Sequence, residues 1–323
     1  MTRKTFAEAL VDALCELHEE GEPVAVVGHS IVGYGAHGHH GQRLRDTFGA
    51  RYLEPPTAEG ATASLGIGAA MQGLRMFVHF GTASFALEAW NQIIHEAATA
   101  HSMSGGQLRV PVVFHMFHGL RGGGSAQHSL SPQSMLANNA GLQVMMPTTP
   151  RDAKGMLRAA LKGDNPTLFV DHGALLGVEG EVPDGAYEIP LGRADIRRPG
   201  KDVTVVATSR AVLWAMEAAD ILAADGIEAE VVDPRSAVPL DGQAILDSVA
   251  RTGRLVTVEE GYQPCSIGSE IAALAAEHAW GSLKAPVQRV ARLPTPVPFS
   301  PPLEQAIAPH PGRIVAAVRR AMA

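Results

Sequence analysis

The chain has 323 residues, 46% of them hydrophobic and 18% charged, and a formal net charge of −7. That is too long for one small core, fits two domains of ordinary size, and carries enough apolar residues to fold without disorder. The acidic balance, with no block of Lys or Arg, argues against nucleic acid or an anionic membrane as a main partner.

The first residues, MTRKTFAEALVDALCELHEE, mix acidic with apolar positions and predict an amphipathic helix rather than a signal peptide. No apolar run reaches membrane-spanning length, and a cytoplasmic protein is expected. The two cysteines, Cys15 and Cys265, lie far apart with no CxxC spacing, which suggests neither a disulfide framework nor a cysteine zinc site.

Short apolar runs follow, each reading as a strand buried on both faces: PVAVVG (23–28), RMFVHF (75–80), VPVVFHMF (110–117), LQVMMP (142–147) and PTLFVD (166–171). Ala-rich helical stretches fall between several of them, over 59–73, 83–102 and 151–163. From 172 to 200 the pattern breaks into a Gly/Pro-rich passage with no helical period, which reads as a linker. A second alternation has strands at 202–208, 226–233 and 254–260 and helices near 210–225, 241–251 and 266–280. The fold class is α/β, with two parallel-sheet domains, the second smaller: 1–185, a linker at 186–200, and 201–323.

Ligands of open parallel sheets sit at the carboxyl ends of the strands. The loop after the first such strand, GHSIVGYGAHGHHG (28–41), holds four histidines and five glycines. It has three readings: a metal site, a solvated glycine loop with incidental histidines, or the lip of an active site. Adjacent side chains such as His39 and His40 are expected to diverge and glycine is a poor scaffold, so no dedicated metal site is assigned. The next loop, Glu54-Pro55-Pro56-Thr57-Ala58-Glu59-Gly60, is stiffened by its prolines and delivers Glu59 to the start of a Gly/Ala-rich helix. Alone, such a Glu is usually a surface residue favoured by the helix dipole.

Its surroundings give it another meaning. The text TFGARYLEPPTAEGATASLGIGAAMQGLR resembles the beta subunit of the E1 component of 2-oxo acid dehydrogenases, within the transketolase-like thiamine diphosphate enzymes. FALEAWNQI, SGGQLRVPVV, QHSLSPQ, GLQVMMPTTPRDAKGML, DNPTLFVD and PLGRAD continue the resemblance in order, and GKDVTVVATS, GIEAEVVDPRSAVPLD, SVARTGRLVTVEEG, IGSEIAALAAEHAW and LKAPVQRV carry it through the second half. It covers nearly the whole chain, and several motifs agreeing in order make it specific.

The resemblance implies a pyrimidine-binding domain followed by a transketolase C-terminal domain. The diphosphate and Mg²⁺ would be held mainly by an alpha-type partner through a GDG…N motif, in an α2β2 assembly. This chain has no GDG; Gly163-Asp164-Asn165 is the nearest approach, and Pro166 and a strand follow it. Glu59 matches the glutamate that contacts N1′ of the aminopyrimidine, favouring the imino tautomer whose 4′ nitrogen removes the C2 proton; a desolvated carboxyl suits that task. His128 matches a histidine that faces the substrate and donates or orients a proton, although a lone histidine is more often structural. Phe85 matches an aromatic packed on the pyrimidine, a role that buries the ring as an ordinary core position would. Gly81 and Thr82 beside it are expected to border the cofactor.

The departures from the family pattern are equally specific. Gly-Glu-Asp after the first strand is here Gly28-His29-Ser30, Glu-Ile-Gln-Phe is His79-Phe80-Gly81-Thr82, an arginine of the fourth strand is His115, and Phe117-His118-Gly119 follows. Acidic, amide and guanidinium groups have been replaced by imidazoles, so His29, His79, His115 and His118 are expected to form an altered substrate pocket with some pKa values below the usual one. Three functions compete: an E1-like enzyme that decarboxylates a 2-oxo acid and feeds a lipoyl-bearing E2; a carboligase or split transketolase with no lipoyl partner; and a non-catalytic scaffold, which Glu59 and His128 argue against.

Overall fold

The computed structural model describes residues 1–31 and 39–323. Chain contacts divide it into two units: Met1–His118 with Met135–Leu191, and Gly119–Ser134 with Gly192–Ala323.

In the first unit β1 (Thr2–Thr5) leads into α1 (Phe6–Glu19), whose start is fixed by a capping box between Thr5 and Glu8. There follow β2 (Val24–Gly28), α2 (His39–Phe48), β3 (Tyr52–Leu53), α3 (Glu59–Met71) and β4 (Arg75–Thr82). After a 3-10 turn and a π turn come α4 (Ala98–Met103), β5 (Val112–His118), α5 (Gln133–Ala137), β6 (Gln143–Met145), α6 (Pro150–Lys162), β7 (Thr167–His172) and β8 (Glu179–Val182). Strands β6, β7, β5, β4, β2 and β3 lie side by side in that order, all parallel. Every residue of β2, β5 and β7 is buried, which is why these strands read as unbroken apolar runs.

Helix α3 lies against β4 because of its small residues. A Cβ at Gly66 would fall 2.4 Å from Val78 Cγ2, so only glycine permits this approach. Helix α1 packs on α6, itself begun by a capping box between Thr149 and Asp152.

The second unit begins at β9 (Asp195–Arg198) and continues with β10 (Val203–Ala207), α7 (Ala211–Ala224), β11 (Ala229–Asp233), β12 (Ser236–Val238), α8 (Gly242–Thr252), β13 (Leu255–Tyr262), α9 (Ile267–His278), β14 (Gln288–Arg292), α10 (Pro301–Ile307) and α11 (Pro311–Met322). Its sheet runs β14-β13-β10-β11-β9, parallel except for β9. Val205, Val231 and Val258 of the strands meet Ala215 and Leu222 of α7 and Ile314 and Val318 of α11 in one core.

One expectation needs correction. The passage 172–200 is not wholly irregular, because β9 forms the antiparallel edge of the second sheet and β8 pairs with β1. Asp195, Arg197 and Arg198 give that edge a polar sequence, which hides it from a search for apolar runs. Residues Gly119–Ser134, expected within the first domain, cluster with the second unit. Leu120 is buried with Val297, Ile307 and Ala308, while the N–H groups of Gly122 and Gly123 donate to the Glu304 carboxylate.

Candidate functional site

The loops at the carboxyl ends of β2 and β4 and the start of α3 enclose a cavity of about 100 Å³ in the first unit. Gly28, His29, Pro55, Glu59, His79 and Phe85 are among its lining residues. A complete small-molecule site occupies roughly 300–1,000 Å³, so this cavity has the size of part of one.

Glu59 is the first residue of α3 and half-buried. The positive end of the helix dipole favours its carboxylate there. Phe85 opens the short 3-10 turn after β4 and leaves 38% of its surface exposed, which separates it from an ordinary core phenylalanine. Gly28 ends β2 at φ +150°, and a Cβ there would stand 2.4 Å from the carbonyl oxygen of His79. Glycine therefore lets β2 approach β4 where the cavity begins.

Glu54, one residue ahead of the two prolines, holds the neighbouring loops. Its Oε1 accepts the Ser30 N–H at 3.1 Å and stands 3.8 Å from His29 Nδ1, and its Oε2 is 2.6 Å from Arg45 Nη2. The Arg45 hydrogen bond in particular holds the Glu54 carboxyl below the usual carboxylate range. This anchors the first residues of the glycine-histidine stretch; its positions 32–38, His37 included, lie outside the described residues.

Behind the cavity wall stands a buried polar line. His79 on β4 and His115 on β5 are register partners, and their Nδ1 atoms are 2.7 Å apart. His115 Nε2 is 3.0 Å from Asp171 Oδ2 at the end of β7. Positions 77 and 79, 115 and 117, and 169 and 171 alternate onto one face of the sheet, so the rings of Phe77, Phe117 and Phe169 sheath the line. His79 is 2% exposed, and His115 and Asp171 are fully buried. Burial, reinforced by His115 and His29, holds the His79 pKa well below 6.5 and keeps its ring neutral.

The four histidines do not all converge. His29 and His79 line the cavity and His115 bonds to His79, but His118 stands against His172 with ring centroids 5.0 Å apart. Three residues beyond His115, it falls on the other face of β5. Gly81 and Thr82 are buried and are not among the residues lining the cavity. His128 closes a short exposed 3-10 turn, Ala126–His128, on the loop that belongs to the second unit.

Asp171 was visible in the sequence only as the last letter of a strand. The available signal was a lone carboxylate ending an apolar run that pairs with the strand carrying His115.

Comparison with known proteins gives consistent results. The profile described as transketolase, pyrimidine binding domain, matches residues 2–177, and that of the transketolase C-terminal domain matches residues 192–314. The chain is 40% identical over 321 residues to the pyruvate dehydrogenase E1 component subunit beta of Rhizobium meliloti, covering 99% of this chain and 70% of that one. It is 42% identical over 303 residues to the acetoin:2,6-dichlorophenolindophenol oxidoreductase subunit beta of Cupriavidus necator, covering 94% and 87%. It is 38% identical over 322 residues to the 2-oxoisovalerate dehydrogenase subunit beta of Bacillus subtilis, covering 99% and 98%. Among solved structures, a split gene transketolase, an inactive beta4 tetramer, matches at TM-score 0.80 and 25% identity over 98% of this chain and 97% of that one.

Proposed function

The chain belongs to the transketolase-like thiamine diphosphate enzymes, among the beta subunits of the 2-oxo acid dehydrogenase E1 type, and from that premise we propose that its cavity is the aminopyrimidine half of a shared active site. The enzyme is heteromeric, works with an alpha subunit, and uses thiamine diphosphate to decarboxylate a 2-oxo acid and pass on the acyl unit. The observation that carries the site assignment is one cavity lined by the Glu59 carboxyl and the part-exposed ring of Phe85.

The residues present fit one end of the cofactor. A carboxyl and an aromatic face suit a flat nitrogen heterocycle, and Pro55 and Pro56 supply stiff apolar walls. Among the described residues no group of three or more His, Cys, Asp or Glu is placed to hold a metal ion. Asp164, in the nearest approach to GDG, is engaged by Arg109 at 2.6 Å and Arg75 at 3.8 Å. In keeping with the resemblance, we assign Mg²⁺ and diphosphate mainly to the GDG motif of an alpha-type chain in an α2β2 enzyme, with a lipoyl-bearing E2 as acceptor.

When bound, thiamine diphosphate supplies the electron sink for decarboxylation. The chain's own residues position and protonate. Glu59 holds or yields a proton at the pyrimidine nitrogen, Phe85 offers its ring, Gly81 and Thr82 support the turn beside it, and His29 and His79 face the substrate mouth. His128 donates or orients a proton in a later step. No helix among the described residues is long and apolar enough to cross a membrane, and the cytoplasm is the location proposed.

The test uses the enzyme assembled with its alpha subunit. Glu59→Gln slows C2–H/D exchange of the bound cofactor by roughly 10²- to 10⁴-fold while assembly persists. His128→Ala leaves exchange unchanged and lowers turnover. Unchanged exchange in Glu59→Gln overturns the assignment.

A further inference from the structure

The line Asp171, His115, His79 contains two atoms that neither the fold nor the proposed cofactor contacts account for. His79 Nε2 and Asp171 Oδ1 are buried and have no hydrogen-bond partner among the described residues. Such orphans are expensive in a folded protein and point to a function. Here they mark the two ends of one hydrogen-bonded chain, and the residue at one end lines the cavity.

Donor and acceptor rules fix its direction. An ionised carboxylate only accepts, so His115 Nε2 donates to Asp171. A neutral His115 then presents a lone pair at Nδ1, His79 Nδ1 must donate to it, and His79 Nε2 is left bare. We propose that Asp171, His115 and His79 form a proton relay whose cavity end, His79 Nε2, takes one proton from an N–H or O–H acid bound there and stores it at the buried carboxylate.

The transfer balances without charging a ring. A proton binds His79 Nε2, the Nδ1 proton of His79 moves to His115 Nδ1, and the Nε2 proton of His115 moves to Asp171. The line starts with one negative charge and ends neutral, with both imidazoles in the opposite tautomer. The bound acid keeps the electron pair of the bond it loses. A buried carboxylate with an unpartnered oxygen gains by neutralisation, and a fully buried imidazole resists a positive charge. Both preferences favour the concerted shift over an imidazolium.

The groups facing the line are His29 from the loop after β2, Glu59 at the start of α3, and Phe77, Phe117 and Phe169 on the neighbouring strands. His118 and His172 follow on β5 and β7. His29, which lines the cavity beside His79, is exposed, with 57% of its side chain open.

The inference rests on the cavity being the cofactor's half-site, but its first readout does not. In the full chain labelled with ¹⁵N-histidine, without cofactor and assigned with His79→Gln, His79 shows a protonated Nδ1 and a bare Nε2 at pH 8. A protonated His79 Nε2 at pH 8 overturns the relay. In the assembled enzyme, thiamine diphosphate with Mg²⁺ inverts the pattern if the cofactor is the acid. Inversion only after pyruvate is added makes the acid a hydroxyl generated from the substrate during turnover, and no response to either overturns the proposal. Asp171→Asn abolishes the inversion and lowers kcat by roughly 10²-fold with KM unchanged, and Asp171→Glu restores part of both; a variant with unaltered inversion and kcat overturns it.

Discussion

Two buried polar clusters of the first unit solve the same problem in opposite ways. Between α1 and α6, the fully buried Arg158 meets Glu20 at 2.8 and 2.9 Å, Glu188 at 3.2 Å and Glu16 at 3.4 Å, and Lys154 reaches Glu16 at 2.6 Å. Opposite charges meet there, and the acids keep part of their surface in water. At the carboxyl ends of β4, β5 and β7, one acid meets two imidazoles, and an atom at each end has no partner among the described residues. The first arrangement holds the chain together. The second puts buried, unpaired polar atoms on a line whose end residue, His79, borders a cavity.

The comparison breaks most visibly at Arg158. Arg158→Ala leaves three carboxylates around an emptied site and costs about 3 kcal/mol, the lower end for a broken buried pair because the acids are part-exposed; urea denaturation measures it. Its pH signature has a definite sign. Hydrogen bonds to Arg158 and Lys162 set the pKa values of Glu20 and Glu188 below the ordinary 4.5. The unfolded chain therefore takes up protons first as pH falls, and stability is full above about 4.5 and lost as pH drops through the folded values. Arg158→Ala flattens that acid limb and leaves C2–H exchange in the assembled enzyme unchanged.

Gly28→Ala acts on the second cluster through the backbone. The new Cβ meets the His79 carbonyl oxygen at 2.4 Å and its Cβ at 2.8 Å. The cost is about 2 kcal/mol by thermal denaturation, and exchange falls with it because His79 is displaced. A stable, fully active Gly28→Ala protein contradicts the close approach.

Asp171→Asn sharpens the contrast. It keeps the shape, removes a buried negative charge with an orphaned oxygen, and changes stability by less than about 1 kcal/mol while lowering turnover. Large loss of stability with retained turnover would move the line into the same class as the Arg158 cluster. The smallest effect belongs to Arg45→Ala, which loses a part-exposed ion pair with Glu54 and changes stability little, less still in high salt.

Much of this was legible beforehand. The parallel strands could be read because burial on both faces makes them apolar throughout, and the Gly/Ala run after Glu59 announced a helix pressed onto a strand. What stayed hidden depended on tertiary contacts. The loop 119–134 joins the second unit through Glu260 and Glu304, which accept its N–H groups from far along the chain. The polar stretch at 39–48 hides α2, because His, Gln and Arg give no apolar period. His79 and His115 drew notice as departures from a pattern. Their link to Asp171 needed strand order, which a sequence does not state, and His118 was misplaced because an odd spacing along a strand changes its face.

The central claim is that this chain supplies one half of a thiamine diphosphate site. Titration calorimetry with thiamine diphosphate and Mg²⁺ tests it most directly, on the chain alone and after assembly with an alpha subunit that carries GDG. The account predicts weak or no binding to the isolated chain and tight binding by the assembly, lost again when the GDG aspartate is replaced. Tight binding of thiamine diphosphate by the isolated chain would contradict it.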